Sequence, residues 1–298
     1  MTAPEAPEHE VPKLENAFLA HEPTIRLAAF LGLLALIAVW EALRPRRALA
    51  APKTPRWLSN FGLVALDSLV LRFAFPLLAI DLALTAEERG FGLFNLVPAP
   101  RWLAIVATVL VLDLVIYLQH RAFHAVPLLW RLHMVHHTDR GFDVSTGVRF
   151  HPVEITLSMG IKMAIVALLG APASGVLVFE VFLSATSLFN HGNVFLLPAV
   201  DRYLRLIVVT PDMHRVHHSI DPVETNSNYG FNLPWWDRLF GSYRAQPAAG
   251  HERMTIGLEQ FPEARRLLLH HLLILPFSGR TGRYPAGRYR KRAASRPG

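Results

Sequence analysis

Long apolar segments constrain the fold of this chain of 298 residues more than any other feature. Three of them span Ile25 to Leu43, Phe61 to Leu84 and Trp102 to Gln119. An α-helix rises about 1.5 Å per residue, so runs of roughly 20 residues cross a hydrocarbon core about 30 Å thick. A fourth run, Ile155 to Leu188, is broken by Gly-Ala-Pro at 170–172, which predicts two helices in a hairpin. We predict an all-α, polytopic integral membrane bundle.

The composition supports this fold class and limits the chemistry. Hydrophobic residues make up 52% of the chain, charged residues 18%, and the mean hydropathy is +0.28. The net charge is +7, but the basic residues stand in blocks beside apolar runs. That pattern favours contact with anionic lipid and predicts no nucleic-acid partner. Because the chain has no cysteine, a metal site can use only imidazole, carboxylate or backbone oxygen ligands.

Basic residues also predict the topology. The loop 44–56 holds four arginines and one lysine without an acidic residue. By the positive-inside rule this loop is cytoplasmic, so the N-terminus lies outside. The third span then delivers His120 to the cytoplasmic face, and the hairpin returns His191 to the same face. We therefore expect a bacterial inner-membrane protein whose histidine-rich cap is cytoplasmic.

Three histidine motifs carry the strongest chemical signal. They are HRAFH at 120–124, HMVHH at 133–137 and HRVHH at 214–218. On a helix, residues four apart lie about 40° apart around the axis, so the outer histidines of each motif project together. The middle histidine of HxxHH is turned about 100° away from the last one. We therefore expect the eight imidazoles to serve two neighbouring metal ions.

Several kinds of metal site remain after this step. Imidazole suits iron, zinc, copper and nickel. The chain has no HExxH motif of a zinc protease and no Glu-x-x-His pair of a soluble di-iron bundle. An all-histidine site beside a membrane favours two irons that activate O₂ for attack on a lipid C–H bond. A histidine-rich zinc or nickel carrier or sensor without oxygenase activity is the alternative.

The remaining histidines and some polar residues give weaker predictions. His191, at the end of the hairpin, is expected to join the metal ligands. His151, which precedes a proline, is either a ligand or a positioning residue. His270 and His271 lie among leucines and are expected at the interface. Asp113, Asn228 and Asp237 are expected to accept the second N–H of ligand imidazoles.

Read together, the motifs resemble the fatty acid hydroxylase/sterol desaturase superfamily of membrane di-iron enzymes. The resemblance covers roughly Asp113 to Gly241. It rests on HRAFH, HMVHH, RFHPVE (149–154), NHG (190–192), HRVHH and NYGFNLPWWDRLFG (228–241). It implies metal-ligand roles for His120, His124, His133, His136, His137, His214, His217 and His218, and also for His191.

The resemblance further implies two non-haem irons with O₂ as co-substrate, and hydroxylation or desaturation of a lipid. Electrons would come from an external reductase, ferredoxin or cytochrome-type carrier. Some members have a second histidine four residues before the position of His191, where this chain has Ser187. His151 or water would then supply the tenth ligand.

We accordingly divide the chain into four parts. Residues 1–24 form a polar N-terminal tail, and residues 25–112 form membrane helices. Residues 113–241 form the di-iron catalytic domain implied by the resemblance. Residues 242–298 form a cytoplasmic C-terminal region with a basic tail.

Overall fold

The computed structural model describes residues 13–49, 51–97, 99–262 and 268–285. These ranges contain helices and no β-strand, which confirms the all-α prediction. In chain order the helices are α1 Lys13–Ala20, α2 Glu22–Leu43, α3 Lys53–Ala74, α4 Ala79–Arg89, α5 Leu93–Leu96, α6 Arg101–Ala125, α7 Pro127–His137, α8 Pro152–Leu169, α9 Ala173–Asn190, α10 Pro198–Leu204, α11 Pro211–His217, α12 Pro222–Thr225, α13 Trp235–Leu239 and α14 Leu269–Ile274. Short 3₁₀ helices span Val144–Val148 and Leu275–Phe277.

Five segments of the described chain are long and apolar enough to cross a membrane. They are Glu22–Leu43, Lys53–Leu96, Arg101–Ala125, Pro152–Leu169 and Ala173–Asn190. These segments confirm the polytopic helical bundle.

The second segment is not one straight helix, although a continuous run from Phe61 to Leu84 was expected. Helix α3 ends at Ala74 and α4 begins at Ala79. Pro76 lies in the break and cannot donate the backbone hydrogen bond that would continue α3. Asp81 accepts a hydrogen bond from the backbone N–H of Leu78 and so starts the new helix.

The predicted hairpin is confirmed in the structure. Helix α8 ends at Gly170, whose φ of +55° is the left-handed conformation that favours glycine at a helix end. Gly92, with a φ of +91°, packs on this turn, and a Cβ on Gly92 would lie 2.2 Å from the backbone nitrogen of Gly170. The turn therefore requires close backbone contact between two segments far apart in sequence.

The two ends of the chain contribute more to the bundle than the sequence suggested. Residues 13–20 of the expected tail form α1, and Glu15 pairs with Arg101 at an N···O distance of 2.6 Å. Residues 1–12 lie outside the described residues. In the C-terminal region, Leu258 and Leu272 pack against Trp130 of α7 in one apolar cluster. Residues 286–298 of the basic tail lie outside the described residues as well.

The basic loop between α2 and α3 contacts the segments that surround the histidines. Arg46 pairs with Asp212 at 3.2 Å, and Arg47 donates to the carbonyl oxygen of Met254 at 2.8 Å. The loop and the histidine motifs therefore lie on the same side of the bundle. The basic residues of this loop were expected to face lipid headgroups. Arg46 and Arg47 instead bind groups of the protein.

Glu41, near the end of the first span, is buried. Its Oε1 accepts the backbone N–H groups of Val144 at 2.7 Å and Asn193 at 2.8 Å. This carboxylate therefore ties the end of α2 to two loops that flank His191.

Candidate metal centre

The structure brings nine of the ten predicted histidines together in two adjoining groups. All nine are at most 3% exposed. Within each group, the nearest ring nitrogens lie within 4.8 Å of one another. The first group contains His120, His124, His133, His137 and His217, and the second contains His136, His191, His214 and His218.

The division into two groups follows the spacing of the motifs. In HMVHH, the outer pair His133 and His137 enters the first group, whereas His136 enters the second. In HRVHH the arrangement is reversed, because His214 and His218 enter the second group and His217 the first. Each HxxHH motif therefore serves both groups, as the helical angles predicted.

Hydrogen bonds to oxygen fix the orientation of five of these rings. A carbonyl or carboxylate oxygen can only accept, so the Nδ1 atom that contacts it must carry the proton. The five Nδ1 contacts are His120 with Tyr229 O at 2.7 Å, His133 with Glu154 Oε1 at 2.6 Å, His136 with Arg149 O at 3.2 Å, His191 with Ser187 O at 2.7 Å, and His217 with Ser227 O at 2.7 Å. In the neutral ring, each Nε2 atom is then left as a bare lone pair.

These lone pairs point at one another, which makes the groups unsatisfactory as a simple protein core. The Nε2 atoms of His120 and His133 are 3.0 Å apart, and those of His136 and His191 are 3.1 Å apart. Neither pair has a proton to share, so the contacts are repulsive unless a cation lies between them. Two imidazole ligands at right angles, each about 2.1 Å from one ion, are about 3.0 Å apart.

Other ring nitrogens are buried without any partner among the described residues. Both nitrogens of His124, His137 and His218 are in this condition. An unsatisfied buried polar atom costs about 1–3 kcal/mol, so six of them in one centre need an explanation. The donor set therefore fits a pair of metal ions, which would bind one nitrogen of each of these three rings and would also lie between the facing lone pairs.

Burial also keeps the histidines outside the spans in the neutral form that binds metal. It lowers the pKa of His133 to about 3 and that of His191 to about 4. The pKa values of His136, His137, His214, His217 and His218 are lowered well below the usual value, by burial first and then by neighbouring histidines. At neutral pH these rings therefore offer lone pairs and not charge.

His151 lies apart from both groups. Its Nδ1 accepts the backbone N–H of Val153 at 3.2 Å, and its Nε2 donates to the carbonyl oxygen of Leu273 at 3.2 Å. Both ring nitrogens are thereby used, and the side chain caps the start of α8. Of the two roles considered for His151, the structure favours positioning.

Ser187, at the position where a further histidine was considered, contacts the backbone of the site. Its hydroxyl donates to the carbonyl oxygen of Gly147 at 2.7 Å, while its own carbonyl accepts from His191. A side chain on Gly147 would collide with the Ser187 carbonyl, since a Cβ there would lie 2.5 Å from that oxygen. The small residues Gly147 and Ser187 therefore let His191 approach the other histidines of the second group.

The expectation that Asp113, Asn228 and Asp237 accept from ligand imidazoles is wrong, since each binds another partner. Asp113 accepts from the indole of Trp236, and Asn228 donates to the carbonyl oxygens of Met213 and Arg244. Asp237 accepts the backbone N–H groups of Tyr229 and Gly230, each at 2.8 Å. Asp237 therefore acts indirectly on the first histidine group. It holds the loop that contains Tyr229, and the Tyr229 carbonyl orients His120.

A buried ion-pair network supports the loop after α7, and sequence reasoning missed it. Arg56, in the first turn of α3, donates to both carboxylate oxygens of Asp139 at 2.6 and 2.8 Å and to Asp143 at 2.9 Å. All three side chains are fully buried. Burial alone would raise the pKa of Asp139, but Arg56 holds it below its usual range.

Arg149 extends the support to the helix that carries HMVHH. It donates to the carbonyl oxygen of Val135 and to the hydroxyl of Thr138, each at 2.8 Å, and to Asn60 of α3 at 2.9 Å. The Arg149 side chain therefore fixes the end of α7, and the Arg149 backbone carbonyl accepts the hydrogen bond from His136. The run of basic residues in the sequence did not indicate that Arg56, like Arg149, is buried in the protein.

A cavity of about 360 Å³ lies between the membrane helices beside the first histidine group. His120 and His133 are among the residues that line it. Apolar side chains from α3, α6, α8 and α9 form much of the wall: Val64, Leu71, Ile116, Phe123, Ile155 and Leu183. This cavity has room for part of an apolar chain beside His120 and His133.

Glu154 provides a test of the support for the first group, because its carboxylate orients His133. We expect Glu154→Ala to weaken metal binding about 10–100-fold, the usual cost of losing such an outer partner. Titration with a competing chelator, followed by metal analysis, measures the change. Glu88→Ala, which removes an exposed carboxylate from α4, is the control and should bind the metal like the unmodified protein. Unchanged affinity in Glu154→Ala would contradict this role.

Comparisons with known proteins agree with the motifs. Residues 105–242 match the family model described as fatty acid hydroxylase. An ornithine lipid hydroxylase of Rhizobium tropici is 34% identical over 149 residues, which are 50% of this chain and 44% of that protein. An alkylglycerol monooxygenase of Danio rerio is 34% identical over 48% of this chain and 30% of its own length.

A more distant relative is a very-long-chain aldehyde decarbonylase of Oryza sativa subsp. japonica, 25% identical over 57% of this chain and 28% of its own length. The chain thus spans less than half the length of each of these relatives. No solved structure matches this chain. The matched region contains all nine clustered histidines and includes the stretch from Asp113 to Gly241 that carries the motifs. Residues 105–242 of this chain are therefore similar to the fatty acid hydroxylase family.

Proposed function

We propose that the protein is a membrane-bound oxidoreductase that uses two non-haem irons and O₂ to hydroxylate or desaturate a lipid C–H bond. The observation that carries this proposal is the pair of all-histidine groups, the first of which lines a largely apolar cavity between membrane helices through His120 and His133. The nine clustered histidines are proposed as the metal ligands, with His151 as a positioning residue.

The chain's own residues would perform three tasks in this reaction. The histidines hold the ions, and oxygen acceptors such as Glu154 and the Tyr229 carbonyl keep the rings turned with Nε2 inward. The apolar walls of the cavity exclude water and align the lipid. Two irons would supply O₂ binding and electron transfer, and neutral imidazole ligands leave their positive charge largely uncompensated.

The names of the relatives support a lipid substrate. One is a hydroxylase of ornithine lipid, and another is a monooxygenase of alkylglycerol. Hydroxylation and desaturation both begin with removal of a hydrogen from carbon. The proposal therefore includes both reactions. We further propose an external electron donor, either a reductase, a ferredoxin or a cytochrome-type carrier.

The proposed location is a bacterial inner membrane, with the N-terminus outside and the histidine groups on the cytoplasmic side. The positive-inside rule supports this orientation, because the basic loop 44–56 lies on the same side of the bundle as the histidines. The bacterial ornithine lipid hydroxylase among the relatives supports a bacterial setting.

Oxygen labelling tests the proposed reaction. The protein, purified in detergent and loaded with iron, is supplied with a reductant, a lipid extract and ¹⁸O₂. We expect about two irons per chain, one for each histidine group, and a lipid that gains one ¹⁸O atom or loses two hydrogens. The same protein treated with a chelator is the control and should leave the lipids unchanged.

Two irons per chain without oxidation of any lipid, whichever donor is supplied, would count against the oxygenase. Zinc or nickel uptake into vesicles that contain the protein would then support the metal carrier.

A further inference from the structure

The cavity beside the first histidine group contains carboxylates without a cation to balance them. Asp67 of α3 and Glu154 of α8 both line it, and they are 8% and 4% exposed. Oδ1 of Asp67 and Oε2 of Glu154 are buried without a hydrogen-bond partner among the described residues. An unpaired carboxylate among membrane helices is costly and calls for a partner.

The two basic side chains that line the cavity are already engaged elsewhere. Lys162 pairs with Glu180, and Arg26 pairs with Glu180 at 3.3 Å and with Glu22 at 3.4 Å. These cations are balanced by their own carboxylates. They are therefore not available to Asp67 or Glu154.

The two unbalanced carboxylates have different surroundings. Glu154 already accepts from His133 through its other oxygen, so it serves the metal group. Asp67 makes no hydrogen bond of this kind to a histidine. It lies seven residues after Asn60 on the same face of α3, about 10 Å deeper in the bundle. Asp67 thus lines the same cavity as His120 and His133, and its unpartnered oxygen can bind a ligand.

Other polar groups near Asp67 make this part of the cavity unlike a plain acyl-chain channel. Gln119 and Ser158, which hydrogen-bond to each other, and Ser184 line the same space. The volume of about 360 Å³ lies near the lower end of the range for ligand sites, about 300–1,000 Å³. Such a space accommodates the polar portion of one lipid and the first carbons of its chain, and not a whole two-chain lipid.

We propose that this cavity binds a lipid that carries a primary amine, with the ammonium group paired to Asp67. The inference rests on the proposed lipid oxygenase function and narrows its substrate class. Asp67 is then a residue that determines specificity and positions the substrate. Because Asp67 and the histidines line one small cavity, the carbon that is oxidised lies within a few bonds of the amine.

Binding of a matched pair of lipids tests this proposal without relying on turnover. One probe is a myristoyl amide of 1,4-diaminobutane, which carries a free amine, and the other is its N-acetylated form. We expect the iron-loaded full chain in detergent to bind the free amine about 10–100-fold more tightly than the acetylated probe. Asp67→Asn should abolish this difference, and Asp67→Glu should keep most of it. Glu88→Gln, which removes an exposed charge from α4, should behave like the unmodified protein.

Equal affinity of the unmodified protein for both probes would overturn the proposal, and this result does not depend on any variant folding. A preference that survives in Asp67→Asn would also overturn it. Oxidation of the bound probe, followed by mass spectrometry, separates the inference from the function on which it rests. A protein that prefers the amine but oxidises neither probe supports the binding site and contradicts the oxygenase. A protein that oxidises both equally well supports the oxygenase and contradicts the role of Asp67.

Discussion

His136→Ala and His217→Ala are each expected to abolish lipid oxidation while leaving the protein inserted in the membrane. The two residues belong to different histidine groups, so each substitution should lower the iron content from about two ions per chain to about one. We expect activity to fall by more than about 100-fold, because loss of an outer partner of a metal ligand alone costs about 10–100-fold. Metal analysis of the purified variants and turnover with reductant and lipid measure the two effects.

His270→Ala is the matched control, because His270 is an exposed histidine outside both groups. It should retain two irons and nearly full activity. Full activity in either His136→Ala or His217→Ala would refute the assignment of that histidine as a ligand. Loss of both irons in each variant would show that the two groups do not bind independently.

Arg56→Met is expected to destabilise the protein by about 3–5 kcal/mol. The substitution removes the only cation that contacts Asp143 and the bidentate partner of Asp139 in the described structure, and it leaves two buried carboxylates without their ion-pair partner. Because Asp139 also holds Gly141 and Thr146 in the loop after α7, iron binding should weaken as well. Thermal unfolding in detergent and iron content measure these effects.

Arg283→Met is the control for this prediction. Arg283 pairs with Glu259 at the surface, where both side chains are about half exposed, and such pairs contribute only about 0–1 kcal/mol. Arg56→Lys should give an intermediate stability, because an ammonium keeps the charge but cannot bind Asp139 through two parallel hydrogen bonds. Unchanged stability in Arg56→Met would show that the network does not support the fold.

The membrane bundle and the composition of the metal groups could be predicted because both depend on local periodicity. A run of apolar residues defines a span, whatever its neighbours are. The spacing of HxxHH fixes the directions of its side chains around the axis of one helix, which is why His136 separates from His133 and His137. His191 was predicted from the hairpin, since a break at 170–172 returns the chain to the side from which it came.

The partners that orient the histidines could not be predicted in this way. Most are backbone carbonyl oxygens, such as those of Tyr229, Ser227 and Ser187, and every residue in a chain has one. Asp237 was expected to bind an imidazole. It binds instead the backbone of Tyr229 and Gly230, and the Tyr229 carbonyl binds the imidazole of His120. Only the path of the loop determines which of these oxygens meets a ring nitrogen.

The sequence by itself determined the helical membrane fold and the histidines available for metal, because these follow from hydropathy and helical angles within short segments. Tertiary structure alone decided that Arg56 is a buried partner of Asp139, that His151 caps a helix, and that Asp67 faces the cavity without a cation. These outcomes depend on contacts between residues far apart in the chain. The energy of a charge depends on whether its neighbours in space balance it, and residue order alone does not specify those neighbours.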